Sequence, residues 1–159
     1  MGEFHYVTFG EVVLRLLAAG GFAFIIGLER EIKQKSFGLR THMLLSIGTA
    51  AFVLLLMELT MDMNRTNGAI NIDPARVIEG IIAGISFLGA GSIIRSDDEI
   101  KGATTGGGIW VLGGIGLACG LGLYLHAALI TALILLIVVA LQPLDRWLAA
   151  KVKDRNGDE

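Results

Sequence analysis

Few residues in this 159-residue chain could do chemistry, and most of them are charges set beside or inside apolar blocks. Asp97, Asp98 and Glu99 stand in a row between Arg95 and Lys101. Three adjacent carboxylates offer oxygens to a hard cation such as Mg²⁺, which takes one or two carboxylates and keeps several waters. A solvated acidic loop is the plainer reading of the same residues. Arg15 and Glu79 each fall inside an apolar stretch, where an ionisable side chain is costly and calls for a partner. They are read as an ion pair near the outer side of the membrane, and snorkelling to the headgroups is the structural alternative. Glu29, Arg30, Glu31 and Lys33 crowd the end of the first apolar block, and Arg40-Thr41 and Thr104-Thr105 open two later ones.

Other chemistries find little support. His5, His42 and His126 are too dispersed to share one metal, and the single Cys119 excludes an internal disulfide. Within GLACGLG, Cys119 reads as a small packing residue. The sequence has no P-loop, HExxH or GxSxG pattern, so a catalytic role is not expected. A net charge of −2 gives no reason to expect nucleic acid as a partner. No cofactor is expected beyond an Mg²⁺ ion.

The elements that must position these residues are membrane spans. Hydrophobic residues make up 53% of the chain and charged ones 18%, with a mean hydropathy of +0.68. The apolar residues form blocks near the roughly 20 residues needed to cross a bilayer. The expected fold is an all-α integral membrane protein with five transmembrane helices: residues 12–28, 41–57, 77–94, 104–122 and 123–141. The last two are divided by a tight reversal at Gly120-Leu121-Gly122, because one helix of that combined length would overshoot the membrane. The N-terminus lacks the basic start of a signal peptide, so the first block is read as a retained span. Residues 144–159 form a short tail, with Leu144, Trp147 and Leu148 on one face of a possible interfacial helix.

Basic residues set the orientation. Arg30, Lys33, Lys35 and Arg40 follow the first span, Arg95 and Lys101 the third, and Arg146, Lys151, Lys153 and Arg155 the fifth. The opposite side has only Arg65 and Arg76. The N-terminus is therefore expected outside and the C-terminus in the cytoplasm.

Glycine supplies the packing. Gly80, Gly84 and Gly91 share one face of the third span, and Gly102, Gly106, Gly113 and Gly120 one face of the fourth. Such stripes let backbones approach closely in lipid, within a subunit or across an oligomer interface. Gly89-x-Gly91 and Gly106-Gly107-Gly108 also fit unwound helix near a transport site. A shift of 64 residues lays Gly20 on Gly84, Gly27 on Gly91, Gly38 on Gly102 and Thr41 on Thr105. It suggests two parallel helical hairpin repeats plus one helix, with Gly38-x-x-Thr41 and Gly102-x-x-Thr105 at equivalent cytoplasmic mouths.

Three segments, GLEREIKQKSFGLRTHMLLSIGTAAF, DPARVIEGIIAGISFLGAGSII and IKGATTGGGIW, together resemble the MgtC/SapB family of bacterial membrane proteins. The resemblance carries over Glu29, Arg30, Gly38, Leu39, Arg40 and Thr41. From the second segment it carries Asp73, Pro74, Arg76, Phe87, Leu88, Gly89, Ala90 and Gly91, and from the third Gly102, Thr104, Thr105 and Trp110. Ser86 and Gly106-Gly107 depart from the residues common in the family, so helix packing is expected to differ there. The chain is expected to be a short form without the C-terminal cytoplasmic domain of longer members. The resemblance implies a multi-pass protein of the bacterial inner membrane, tied to growth at low Mg²⁺ and, in pathogens, to survival in host cells. Two functions follow from it: a regulator acting through a membrane partner such as the ATP synthase, or a small oligomeric transporter or channel. The second would use Glu29, Arg40, Thr41, Thr104 and Thr105 as a polar cytoplasmic vestibule.

Overall fold

The computed structural model describes residues 6–65, 73–96 and 99–143, together with positions 147 and 151. These residues form five helices and one two-stranded hairpin. Helix α1 spans Phe9–Ile32, α2 Leu39–Arg65, α3 Pro74–Gly91, α4 Ala103–Gly120 and α5 Tyr124–Ala140. The first four are long and apolar enough to cross a membrane. At 17 residues, α5 is strongly apolar but reaches only about 25 Å at 1.5 Å per residue.

Local chemistry explains the helix starts. Thr8 and Glu11 form a capping box on α1, each side chain accepting from the other's backbone N–H. Asp73 caps α3 by accepting from Ala75 N at 3.0 Å, with Pro74 in the first turn. The start of α2 is served from a distance: the Glu31 carboxylate accepts from Leu39 N at 2.9 Å.

Helix α4 is the hub, touching all four other helices. Its Ile109, Leu112, Ile115 and Cys119 are fully buried. Around the last three gather Ala19, Ala23 and Ile26 of α1, Ala50 of α2 and Ala127 of α5. Small residues dominate because lipid offers no hydrophobic force between helices, so cohesion must come from close contact. A Cβ on Gly106 would lie 2.8 Å from the Gly89 carbonyl oxygen, and one on Gly113 2.5 Å from Ile85 Cδ1. On the other side, Gly116 and Gly120 would strike the α2 backbone and Val53. Of the glycines expected to share one face of α4, Gly106 and Gly113 thus pack against α3 and Gly120 against α2, joined there by Gly116, while Gly102 precedes the helix.

The stripe on α3 behaves differently. A Cβ on Gly80, Gly84 or Gly91 would meet nothing within 4 Å; the α3 glycine that packs is Gly89. Helix α3 lies mainly on α4 and touches α2 only lightly.

The reversal into α5 falls where expected. Gly122 takes φ +79°, its N–H bonds to Cys119 O, and Leu123 N bonds to Ala118 O at 2.7 Å. Those two bonds close a Schellman turn. The third span, in contrast, ends at Gly91 and not at Ile94. The Ser92 hydroxyl and N–H both bond to Gly89 O, and the chain then enters an antiparallel hairpin, β1 Ile94–Ser96 with β2 Glu99–Lys101. The two hairpin repeats therefore have unlike connections, although α2 and α4 begin 64 residues apart, at Leu39 and Ala103. In the tail, the Lys151 ammonium lies 5.0 Å from the exposed Trp147 ring; Leu144 and Leu148 lie outside the described residues.

Candidate functional site at the motif-bearing end of the bundle

The end of α1 carries the densest polar network. Glu29 receives Arg30 Nε at 2.6 Å and Lys33 Nζ at 2.5 Å, and Gln142, just beyond α5, donates to it at 3.3 Å. Glu29 therefore ties the end of α1 to the end of α5. Arg30 is 5% exposed, so its charge depends on this partner; breaking such a pair strands the other ion.

Two glycines let α2 start against α1. A Cβ on Gly38 would fall on the Glu31 carboxylate that caps α2. A Cβ on Gly27 would lie 2.9 Å from Leu39 Cα and 3.0 Å from His42 Cβ. The buried His42 ring sits in that contact and places Nδ1 2.9 Å from the Gly38 carbonyl oxygen. The sequence marks Glu31 as part of a charged cluster and His42 as an isolated histidine, but not the contacts they make, and it gives no sign of Gln142. A histidine one turn past a glycine gives no sign of folding back on that glycine's carbonyl.

The first turn of α4 faces this network. Gly102 precedes it in the left-handed region, φ +88°, with no side-chain cap. A Cβ there would also strike the Ser92 carbonyl oxygen at 1.9 Å. Between these elements lies a cavity of about 630 Å³. Arg30, Gln34, Lys35 and Ser36 form one wall; Ile100 to Thr105 form another, and Ile137, Val138, Leu141 and Gln142 close it.

Of the vestibule residues, Thr104 and Thr105 line this cavity, together with the motif residue Arg30, with Thr105 buried and Thr104 exposed. Glu29 stands behind Arg30 as its counter-ion. Arg40 is exposed and Thr41 half-buried, and neither lines the cavity. The motif-bearing ends of the two hairpins do meet, but only one threonine pair takes part.

Outside this region, the Arg15–Glu79 pair does not form. Arg15 Nη1 donates to the Gly120 carbonyl at 2.8 Å and approaches Met57 Sδ at 3.7 Å, while Glu79 is exposed. A guanidinium at a helix C-terminus meets both the free carbonyls and the negative end of the dipole, and Gly120 presents both. Asp73 is a helix cap, and Arg76 is exposed in the first turn of α3. Asp97 and Asp98 lie outside the described residues; of Glu99 only the backbone is described, in β2. Among the described residues, no three His, Cys, Asp or Glu side chains gather as a metal site.

A bundle of long apolar helices around a glycine-packed hub, with its polar groups at the ends, defines a multi-pass α-helical membrane protein. The MgtC family model matches residues 16–147, and the chain belongs to that family. It is 38% identical over 123 residues to Protein MgtC of Salmonella typhimurium, covering 77% of this chain and 49% of that protein. It is 34% identical over 128 residues to Escherichia coli YhiD, with 79% and 59% covered. An uncharacterized protein of Haemophilus influenzae is 33% identical over 154 residues, with 96% and 63% covered. The chain thus spans from about half to less than two thirds of the length of these relatives. No solved structure matches it.

Proposed function

We propose that this protein is an inner-membrane regulator of magnesium and energy homeostasis that acts by helix-to-helix contact with a membrane partner. One observation carries the reading. Every glycine of the α4 stripe within the helix is filled by a neighbour, whereas Gly80 and Gly84 of α3 meet nothing in their own subunit. They lie in an apolar groove of about 1010 Å³ between α2 and α3, lined also by Phe52, Leu55, Val77 and Phe87. Glycines on an open, lipid-level face suit a close-approaching helix. The magnesium connection comes from the relatives, since the matched Escherichia coli protein carries the name "Putative magnesium transporter YhiD". In this reading the chain has five spans with the N-terminus outside, acts in the plasma membrane of a bacterium as a homo-oligomer, and needs no catalytic residue. The partner is a membrane complex such as the ATP synthase.

The test is recovery of partners from membranes in mild detergent, comparing wild type with Gly84→Leu. Wild type should bring down subunits of such a complex, and the variant should lose them while remaining folded. Repeated recovery of this protein alone would sink the proposal.

A second reading, a small oligomeric transporter for Mg²⁺ or another solute, draws on the polar cavity at the end of the bundle. Purified protein in liposomes with a Mg²⁺-sensitive dye tests it. Flux no greater than in empty liposomes, at all pH values and membrane potentials tried, removes it.

A further inference from the structure

The cavity at the motif-bearing end has the wrong charge for a cation. Among the described residues, the ionisable groups that line it are Arg30, Lys35 and Lys101, all basic. Lys101 has a partner of its own, and Glu29, the carboxylate behind Arg30, already holds Arg30, Lys33 and Gln142.

Two further observations point the same way, independently of each other. First, α4 begins in this cavity without a side-chain cap. Its first intrahelical bond is Gly106 N to Gly102 O, so the N–H groups of Ala103, Thr104 and Thr105 have no acceptor within the helix. All three residues line the cavity. Uncapped N–H groups with the positive end of a helix dipole behind them form an anion seat. Second, Arg30 is 5% exposed, yet only its Nε is engaged, on Glu29. Its two terminal nitrogens have no acceptor among the described residues, and neither is sealed away as a buried orphan. A buried guanidinium with a free donor fork beside a cavity suits a bidentate oxyanion such as a phosphoryl group.

The remaining wall describes what carries that anion. Ile137, Val138 and Leu141 make one side of the cavity apolar, and Leu133 and Leu136, earlier on α5, are exposed as Ile137 is. A volume of about 630 Å³ far exceeds a free phosphate ion and falls in the ordinary range for organic ligands. We propose that this cavity binds a phosphoryl anion, held by Arg30, Lys35, the Thr104 hydroxyl and the first-turn N–H groups of α4, and delivered as the headgroup of an anionic phospholipid whose chains lie along α5. The inference stands apart from the regulator reading. It also runs against the use of this cavity as an Mg²⁺ vestibule.

The test uses the full chain in nanodiscs of phosphatidylcholine, alone or with added phosphatidylglycerol. Lipid retention is followed by native mass spectrometry, and thermal unfolding is measured with inorganic phosphate or chloride at matched ionic strength. Wild type should retain phosphatidylglycerol over phosphatidylcholine, and Lys35→Gln or Thr104→Ala should weaken that retention about tenfold, the scale of one charge-assisted hydrogen bond. Lys35 is exposed and Thr104 lies at the helix start, so both variants should melt like wild type in phosphatidylcholine. Arg30→Gln should abolish retention; if it does not fold, the other two variants still decide. Stabilisation by inorganic phosphate that the same variants remove would support the phosphoryl site but assign it to a soluble phosphate. Equal retention of both lipids with no phosphate effect, or retention that the variants leave unchanged, overturns the proposal.

Discussion

Gly89 and Gly106 hold each other's backbones in reciprocal contact. A Cβ on either would lie within 3.0 Å of the other's carbonyl oxygen. Helix α3 lies mainly on α4, and this contact, with Ile85 seated against Gly113, is where it is fixed to the hub.

Gly106→Ala should therefore destabilise the protein by about 1–3 kcal/mol, the usual cost of overpacking, because neither backbone can turn aside. Gly107→Ala, one residue on, meets nothing within 4 Å and should be neutral or stabilising by up to about 1 kcal/mol through helix propensity. Thermal unfolding of the two variants in detergent separates them. Equal melting temperatures would show that α3 is not fixed at this point.

How far the sequence foretold this depends on the kind of signal. Apolar blocks and basic loops are summed over many residues, so the helices and the reversal at Gly122 could be read directly. The glycine stripes located a face on α4 but not what filled it. Spacing says which residues share a side, whereas contact depends on the neighbour's register, as Gly80 and Gly89 show on one helix. The Arg15–Glu79 expectation failed because a helix-end carbonyl, which residue spacing does not reveal, takes the guanidinium through Nη1, while Nε is left buried without a partner. The hairpin at 94–101 was missed because three-residue strands carry no period to detect.

Two glycines with positive φ should rank in order. Gly122→Ala meets only the conformational cost of about 1–2 kcal/mol, since the nearest atom is Arg15 Nη2 at 3.3 Å on a flexible side chain. Gly102→Ala adds a clash with the Ser92 carbonyl at 1.9 Å and should cost clearly more. Melting temperatures of the pair check the order.

At the α1 terminus, Glu29→Ala strands the buried Arg30 and should cost about 3–5 kcal/mol, as for other broken buried pairs. Gln142→Ala removes one 3.3 Å hydrogen bond and should cost about 1 kcal/mol or less. A double variant losing less than the sum would confirm that both act through one network.

Cys119 is fully buried in the hub. It should resist a maleimide in the folded protein and react once the bundle is unfolded in denaturing detergent. Rapid labelling in the native state would show that α4 is not at the centre.

Cysteines placed at Lys35, Lys101 and Asp73 in a Cys119→Ala background test the topology. The first two should label from one side of the membrane and the third from the other. Labelling of all three from one side would overturn the proposed arrangement of spans.

The Arg15 contact has a consequence for the order of assembly. Its acceptor, the Gly120 carbonyl, lies 105 positions later in the chain, so the guanidinium is synthesised and inserted well before the helix end that satisfies it. Until the α4–α5 turn is laid down, the Arg15 guanidinium is without the carbonyl that accepts from it in the finished bundle.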